Sequence, residues 1–424
     1  MPRQYPAAMV SPTDEERAWL TGQAQSLVDF ARAAAHPAGG FAWLDEHGRP
    51  ELERPVELWL TCRMTHVFAL AALRGDAGAP ALVEHGMAAL TGRLRDDQHG
   101  GWFAAVDASG PTKVDKEAYG HGFVVLAAAS ATASGHPGGR PLLDEALAVL
   151  DERFWREEDG LVVDVWNRDF TELDPYRGVN ANMHTVEALL AAHDVTADPV
   201  LLQRAARIVS RVVHGFAREN GWRLPEHYDE SWRARPDFNR EQPGHRFRPY
   251  GVTIGHLLEW GRLALHLRTS LGEAAPGWLE EDATALFEQA VRDGWDVDGA
   301  EGFVYTTDFD GVPVVRSRMH WVLAEGMATA WTLAQRTGKD RYREWFTRWR
   351  AHADAVFIDR VGGSWWHELD PQNRPASSVW EGKPDVYHAY QALLLPMLGE
   401  TTSFVAGVLA AGGSADFIAS QRNV

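Results

Sequence analysis

A glycine followed by an aromatic or large apolar residue recurs six times: Gly40-Phe41-Ala42-Trp43, Gly101-Trp102-Phe103, Gly160-Leu161 leading to Trp166, Gly221-Trp222, Gly302-Phe303 and Gly363-Ser364-Trp365-Trp366. These glycines stand 61, 59, 61, 81 and 61 residues apart. Each is followed by an aspartate at or near a turn: Asp45, Asp107, Asp169, Asp229, Asp308 and Asp370. Five intervals this similar are hard to obtain by chance. A period of this length marks a chain assembled from repeated supersecondary units, none of which can bury its apolar face alone.

Two helical stretches fill each repeat. The pairs are 13–35 with 57–73, 79–95 with 116–133, 142–154 with 180–193, 199–219 with 253–271, 278–294 with 317–337, and 339–357 with 385–398. In each pair the first helix is amphipathic, with Arg and Glu on one side. The second carries Ala, Leu and Val on several faces, as a helix enclosed on all sides requires. Twelve helices alternating in this way predict two concentric rings, an all-α (α/α)6 barrel of six helical hairpins with short β-hairpin loops at one end. An open solenoid is the competing geometry. Closure is preferred because neither end carries a polar capping repeat and six hairpins suffice to close. The whole chain, 1–424, reads as one such domain.

The fourth repeat carries an insertion around 227–248, rich in Arg, Pro and Asn, and long loops in compact domains often act as lids. The tail from Thr401 reads as a final weak helix or strap. With a formal charge of −18, nucleic acid and anionic membranes are poor partners. Cys62 is the only cysteine, so neither an intramolecular disulfide nor a CxxC metal site can form. The N-terminus lacks the apolar core of a signal peptide and no run reaches membrane-spanning length, so the expectation is a cytoplasmic protein. Monomer and homo-oligomer are both left open. The 18 tryptophans suit a carbohydrate-active protein, since indole faces stack on sugar C–H faces, although most are expected to pack in the core.

The apolar helices each present polar groups near their N-terminal ends. Arg63 lies on the second helix, Tyr119 and His121 on the fourth, Asn180 and His184 on the sixth, and His256 with Glu259 on the eighth. His320, Trp321 and Glu325 lie on the tenth, and Tyr387 and His388 on the twelfth. From Arg63 through the five histidines the steps are 58, 63, 72, 64 and 68 residues. Scattered burial of such groups would cost several kcal/mol each without partners; gathering them into one wet pocket on the barrel axis avoids this. Arg63 cannot be neutralised and calls for an anion or sugar oxygens. His256 and Glu259, three apart, share a helical face, which predicts a histidine backed by a carboxylate. His66, His193 and His266 are read as hydrogen-bonded structural histidines.

Three chemistries compete. Metal binding lacks an HxH or HExxH motif or a carboxylate triad at ligand spacing. Glycoside hydrolysis needs two carboxylates across a cleft, for which Glu259, Glu325, Glu381 and Asp385 are candidates, but histidine dominates the axis. Two imidazoles facing a sugar suit proton abstraction and return at adjacent carbons, because a group titrating near neutrality acts in both directions. A non-catalytic sugar-binding barrel is the remaining reading.

Four motifs, Trp59-Leu-Thr-Cys-Arg63-Met-Thr-His66, Asn180-Ala-Asn-Met-His184, Arg246-Phe-Arg-Pro-Tyr-Gly-Val-Thr-Ile-Gly-His256-Leu-Leu-Glu259 and Lys383-Pro-Asp-Val-Tyr-His388-Ala, carry a resemblance to the N-acylglucosamine 2-epimerase superfamily. The resemblance extends over about residues 15–400 and is strongest to the aldose–ketose isomerases, which include mannose and sulfoquinovose isomerases. It implies interconversion of D-mannose and D-fructose, with D-lyxose and D-xylulose as a further pair, through a cis-enediol(ate) without metal or organic cofactor. Sulfoquinovose isomerisation and sugar 2-epimerisation are the alternatives it leaves. By the same resemblance His256 and His388 form the acid–base pair, His184 assists ring opening, Arg63 steadies the enediolate and Glu259 orients His256. Trp59, Tyr119, His121, Asn180, Arg246, Trp321, Glu325 and Trp380 are expected around the substrate.

Overall fold

The alternation of amphipathic and apolar helices is realised as two rings. A computed structural model describes residues 10–412, so expectations placed on residues 1–9 and 413–424 lie outside the described residues. The outer ring comprises α1 (Asp14–Ala31), α3 (Ala79–Thr91), α5 (Gly139–Val149), α7 (Pro199–Val209), α9 (Trp278–Gly294) and α11 (Asp340–His352). The inner ring comprises α2 (Leu58–Leu73), α4 (Ala118–Ala133), α6 (Val179–Thr196), α8 (Ile254–Leu271), α10 (His320–Thr337) and α12 (Tyr387–Leu394). Consecutive inner helices pack on one another, and α12 returns to α2, so the ring closes. Gly120, Gly122 and the alanines of α4 let its neighbours approach; a Cβ at Gly122 would already touch Thr185 of α6.

The recurring glycine has a backbone cause. All six marker glycines have positive φ, from 60° at Gly221 to 133° at Gly302, a region closed to most L-residues. The aspartates that follow make Asx turns. Asp45, Asp107, Asp169, Asp229, Asp308 and Asp370 each accept the backbone N–H of the residue two further on.

Short strands stitch the repeats together at the end where the inner helices begin. The residues preceding an inner helix pair antiparallel with those after the next marker: Val56–Glu57 with 105–106, Lys116–Glu117 with Val165–Trp166, Arg177–Gly178 with His227–Tyr228, Val252–Thr253 with Thr306–Thr307, and Arg318–Met319 with Glu368–Leu369. The last repeat returns to the first through Lys383 N–H to Leu44 O (2.9 Å) and Trp43 Nε1 to Glu381 O (3.1 Å). This pairing makes α4 and α10 start at Ala118 and His320, later than the hydropathy pattern suggests.

At the opposite end the tail forms α13 (Phe404–Gly412), which packs against α2, α4 and α6 as a plug. No described helix is long and apolar enough to cross a membrane.

Candidate active site

The first two turns of all six inner helices open into one pocket, with about 590 Å³ of free space. Arg63, Tyr119, Asn180, His184, His256, Glu259, His320, Trp321 and His388 line it, joined by Arg246, Phe247, Pro249, Tyr305, His367, Trp380 and Asp385 from the loops. The His184 and His388 ring centres are 6.5 Å apart, and Trp321 sits 5.2 Å from His256 and 5.6 Å from His388. All three imidazoles therefore open on one pocket. Six helix N-termini at the same end add partial positive charge suited to a developing anion.

The carboxylates behind the histidines differ from expectation. His256 Nδ1 bonds Glu226 Oε1 at 2.9 Å, not Glu259. Glu259 lies one turn deeper and points at the axis, 3.7 Å from His184 Nδ1 and 3.5 Å from Arg262. The i,i+3 spacing puts two side chains on one face but does not bring their ends together. Glu226 stands five residues after the fourth marker glycine, where the sixth repeat has Glu368, which holds the 378–380 loop by accepting Ser378 Oγ–H and the N–H groups of Val379 and Trp380. That alignment is the signal that could have found it.

His388 Nδ1 bonds Glu325 Oε1 at 2.8 Å, and Arg262 grips the same carboxylate through Nε at 2.8 Å. Glu325, expected at the substrate, is therefore beneath His388, a layer below the pocket wall. Arg262, fully buried, was not anticipated. Burial pushes the Glu325 carboxyl up, but the Arg262 guanidinium and the His388 hydrogen bond outweigh it and hold the group ionised. Glu259 goes the other way: burial and the neighbouring Glu325 push its carboxyl well above the usual range. Burial pulls the His388 imidazole down against the opposing pull of Glu325. Arg262→Met leaves Glu325 as an inadequately compensated buried charge and is expected to cost about 3–5 kcal/mol of stability, read by urea denaturation. An unchanged midpoint would show that the pair contributes nothing.

Arg63 reaches the pocket from α2, donating to Tyr119 Oη (2.9 Å) and pairing with Asp385 (3.3 Å). Its guanidinium lies 4.7 Å from the rings of both Phe123 and Tyr387. Burial works against its charge, but the surrounding acidic groups keep it protonated. Its Nε has no hydrogen-bond partner among the described residues.

Two further expected contacts fall elsewhere. His121 is turned outward from the axis, with its ring nitrogens on Glu117 O (2.7 Å) and Trp102 N–H (3.2 Å), tying α4 to the second marker. Trp59 packs on Arg63 and lines an adjoining chamber of about 930 Å³, which shares Tyr119, Asn180 and Phe247 with the main pocket. Phe247, Tyr305 and His367 are lining residues that sequence reasoning missed. They lie outside the inner helices, so helical spacing gave no reason to choose them.

The fourth-repeat insertion crosses the pocket mouth. Arg246 lies against the stacked pair Trp43 (5.0 Å) and Trp380 (4.9 Å), and Phe247 meets Trp59, Tyr119 and Trp380 edge-on. Its return to α8 passes through Gly251, whose φ is +92° and where a Cβ would lie 2.1 Å from Thr307 O. No side chain fits there, which explains the glycine in Arg-Pro-Tyr-Gly.

Two groups among the described residues, His184–Glu187–Glu259 and Glu259–Glu325–His388, have ligand atoms close enough to hold a cation, within 4.8 Å of one another. Linear motifs could not show them because each set is completed by a residue from another helix. The second set fits a cation poorly, since Arg262 already occupies Glu325. In the first, Glu187 is taken up by Tyr387 and Gln391.

The profile of the N-acylglucosamine 2-epimerase (GlcNAc 2-epimerase) family matches residues 39–392. A D-mannose isomerase of Thermobifida fusca is 54% identical over 400 residues, covering 94% of this chain and 98% of that protein. A D-mannose isomerase of Pseudomonas cannabina pv. alisalensis is 47% identical over 384 residues, covering 90% and 92%. A crystal structure of D-mannose isomerase superposes with a TM-score of 0.85 at 28% identity, covering 91% of this chain and 98% of that one.

Proposed function

The chain belongs to the N-acylglucosamine 2-epimerase family, and with that as premise we propose that it is an aldose–ketose isomerase interconverting D-mannose and D-fructose. The single observation that carries the chemistry is the set of three imidazoles around one pocket, two of them hydrogen-bonded through Nδ1 to a buried carboxylate. Such a bond holds the proton on Nδ1 and leaves Nε2 to face the substrate. In the open-chain aldose one imidazole of the His256/His388 pair removes the C2 proton, and the electrons move through C1 onto O1. The O2 proton passes to O1, and a proton is returned to C1 as O2 becomes the ketone oxygen. Arg63 and Tyr119 stand where charge builds on O1 and O2, and electrostatic stabilisation of this kind is commonly the largest contribution to such a step. His184 assists pyranose opening. The step needs no metal.

Incubation with mannose and excess chelator in heavy water is expected to yield fructose at an undiminished rate, with solvent deuterium at C1. Strict metal dependence would overturn the mechanism, and tight sugar binding without fructose or deuterium incorporation would make the protein a binding module. Sulfoquinovose as a competing substrate tests the other isomerase specificity.

A further inference from the structure

Below the pocket floor runs a buried hydrogen-bond chain that the isomerisation as described does not use. Ser130 Oγ donates to Leu126 O at 2.7 Å, which spends its only proton. The contact between His66 Nδ1 and Ser130 Oγ, also 2.7 Å, then requires the proton on His66 Nδ1. His66 Nε2 is thereby left an acceptor, and Gln391 Nε2 donates to it at 3.1 Å. The second hydrogen of that amide donates to Glu187 Oε1 at 2.9 Å. Tyr387 Oη–H donates to Glu187 Oε2. That oxygen and Glu259 Oε1 each lie 3.7 Å from His184 Nδ1, just beyond hydrogen-bond length, and of the two Glu187 is the one that accepts two donors and carries the charge. His66, Gln391 and Glu187 are all at most 4% exposed.

We propose that this chain is a tautomer lock, with Glu187 as the positioning residue that keeps the His184 proton on Nδ1 and the Nε2 lone pair facing the sugar. The reverse polarisation, with a protonated Glu187, would require Ser130 to abandon Leu126 O and the Gln391 amide to turn over so that its oxygen accepts from both His66 and Glu187. Arg262 also favours an ionised Glu187, against the upward push of burial. The consequence rests on the proposed role of His184 in ring opening. With a bare Nε2, His184 takes the O1 proton of the pyranose and returns it to O5 as the C1–O5 bond breaks, leaving no net proton change. With the proton on Nε2 it could not begin. Fixing a catalytic imidazole's tautomer through a buried carboxylate is worth up to about 10⁴-fold in turnover.

The test is ¹⁵N–¹H correlation of the imidazoles in ¹⁵N-histidine-labelled protein, with His184 assigned by difference against His184→Asn. Wild type is expected to show a protonated Nδ1 and a bare Nε2 at His184; the opposite tautomer overturns the proposal without any variant. In Glu187→Gln the amide oxygen stays opposite Gln391, which turns the new NH₂ toward His184 Nδ1. The proton is expected to move to Nε2 and kcat for mannose to fall about 10²–10⁴-fold with KM little changed. Glu187→Asp, which keeps the acceptor charge, should retain the wild-type tautomer and lose roughly 10-fold. Glu187→Gln with the wild-type tautomer, or with kcat within about threefold of wild type, also overturns it. Should Glu187→Gln fail to fold, the wild-type and Glu187→Asp spectra decide. The spectrum reads the tautomer whether or not mannose turns over, so failure of the lock and failure of the proposed activity are told apart.

Discussion

His256→Ala and His388→Ala are each expected to lower kcat for mannose by about 10²–10⁴-fold, the range typical of a positioned general acid or base. The double variant should lose much less than the product of the two, because residues that act as a unit are not additive. The two differ in structural cost. Removing His388 leaves Glu325 still paired with Arg262 at 2.8 Å, so the fold should be nearly as stable. Removing His256 takes from Glu226, a carboxylate 4% exposed, the only side-chain hydrogen bond it makes among the described residues, and should cost about 1–3 kcal/mol. Steady-state kinetics beside urea denaturation separates the effects. Wild-type turnover in either variant removes that histidine from the reaction, and unfolding of His388→Ala would show that the carboxylate cluster depends on it.

Stability is expected to fall steeply as pH drops below about 6.5, the ordinary imidazole value. Burial holds His66 and His367 down at about 4 and His121, His184 and His266 at about 3, and lowers His320 and His388 as well. In the window between the folded and unfolded values the unfolded chain binds the extra proton. Stability is therefore complete above about 6.5 and is lost on acidification, by up to about 1.4 kcal/mol per pH unit for each histidine. Four carboxyl groups oppose this. Burial pushes Asp164 up to about 7 and raises Glu117, Asp194 and Glu259, so the folded state gains protons there as the pH falls. Seven histidines against four carboxyl groups leave a net loss of stability between pH 6 and 5. Urea midpoints at pH 7, 6 and 5 would show it. A midpoint that stays level across that range would mean the histidines are not buried neutral.

The periodic parts of the molecule were legible in the sequence because they answer to local rules. A left-handed backbone at every marker demands glycine, and the following Asx turn favours aspartate, so Gly40 through Gly363 betray the repeat at nearly constant spacing. The contrast between amphipathic and apolar helices foretold the two rings, and polar residues near the start of each apolar helix foretold Arg63, His184, His256 and His388 on one axis. The residues that sequence reasoning misplaced fail that logic one by one. His121 has the right helical position but a rotation that carries its ring to Trp102. Glu259 has the right spacing from His256 but extends away from it, while Glu226 arrives from a loop 30 residues upstream.

The sequence by itself determined the repeat, the helix pairs and the imidazoles on the inner helices, because backbone conformation and hydrophobic periodicity act over a few residues. The tertiary structure alone decided which carboxylate backs which histidine, that Arg262 neutralises the floor, and that Glu187 lies next to His184 at the end of a chain reaching Ser130. Those pairings join residues up to hundreds of positions apart. Their energies depend on being sealed from water together, and only the closed ring creates that condition.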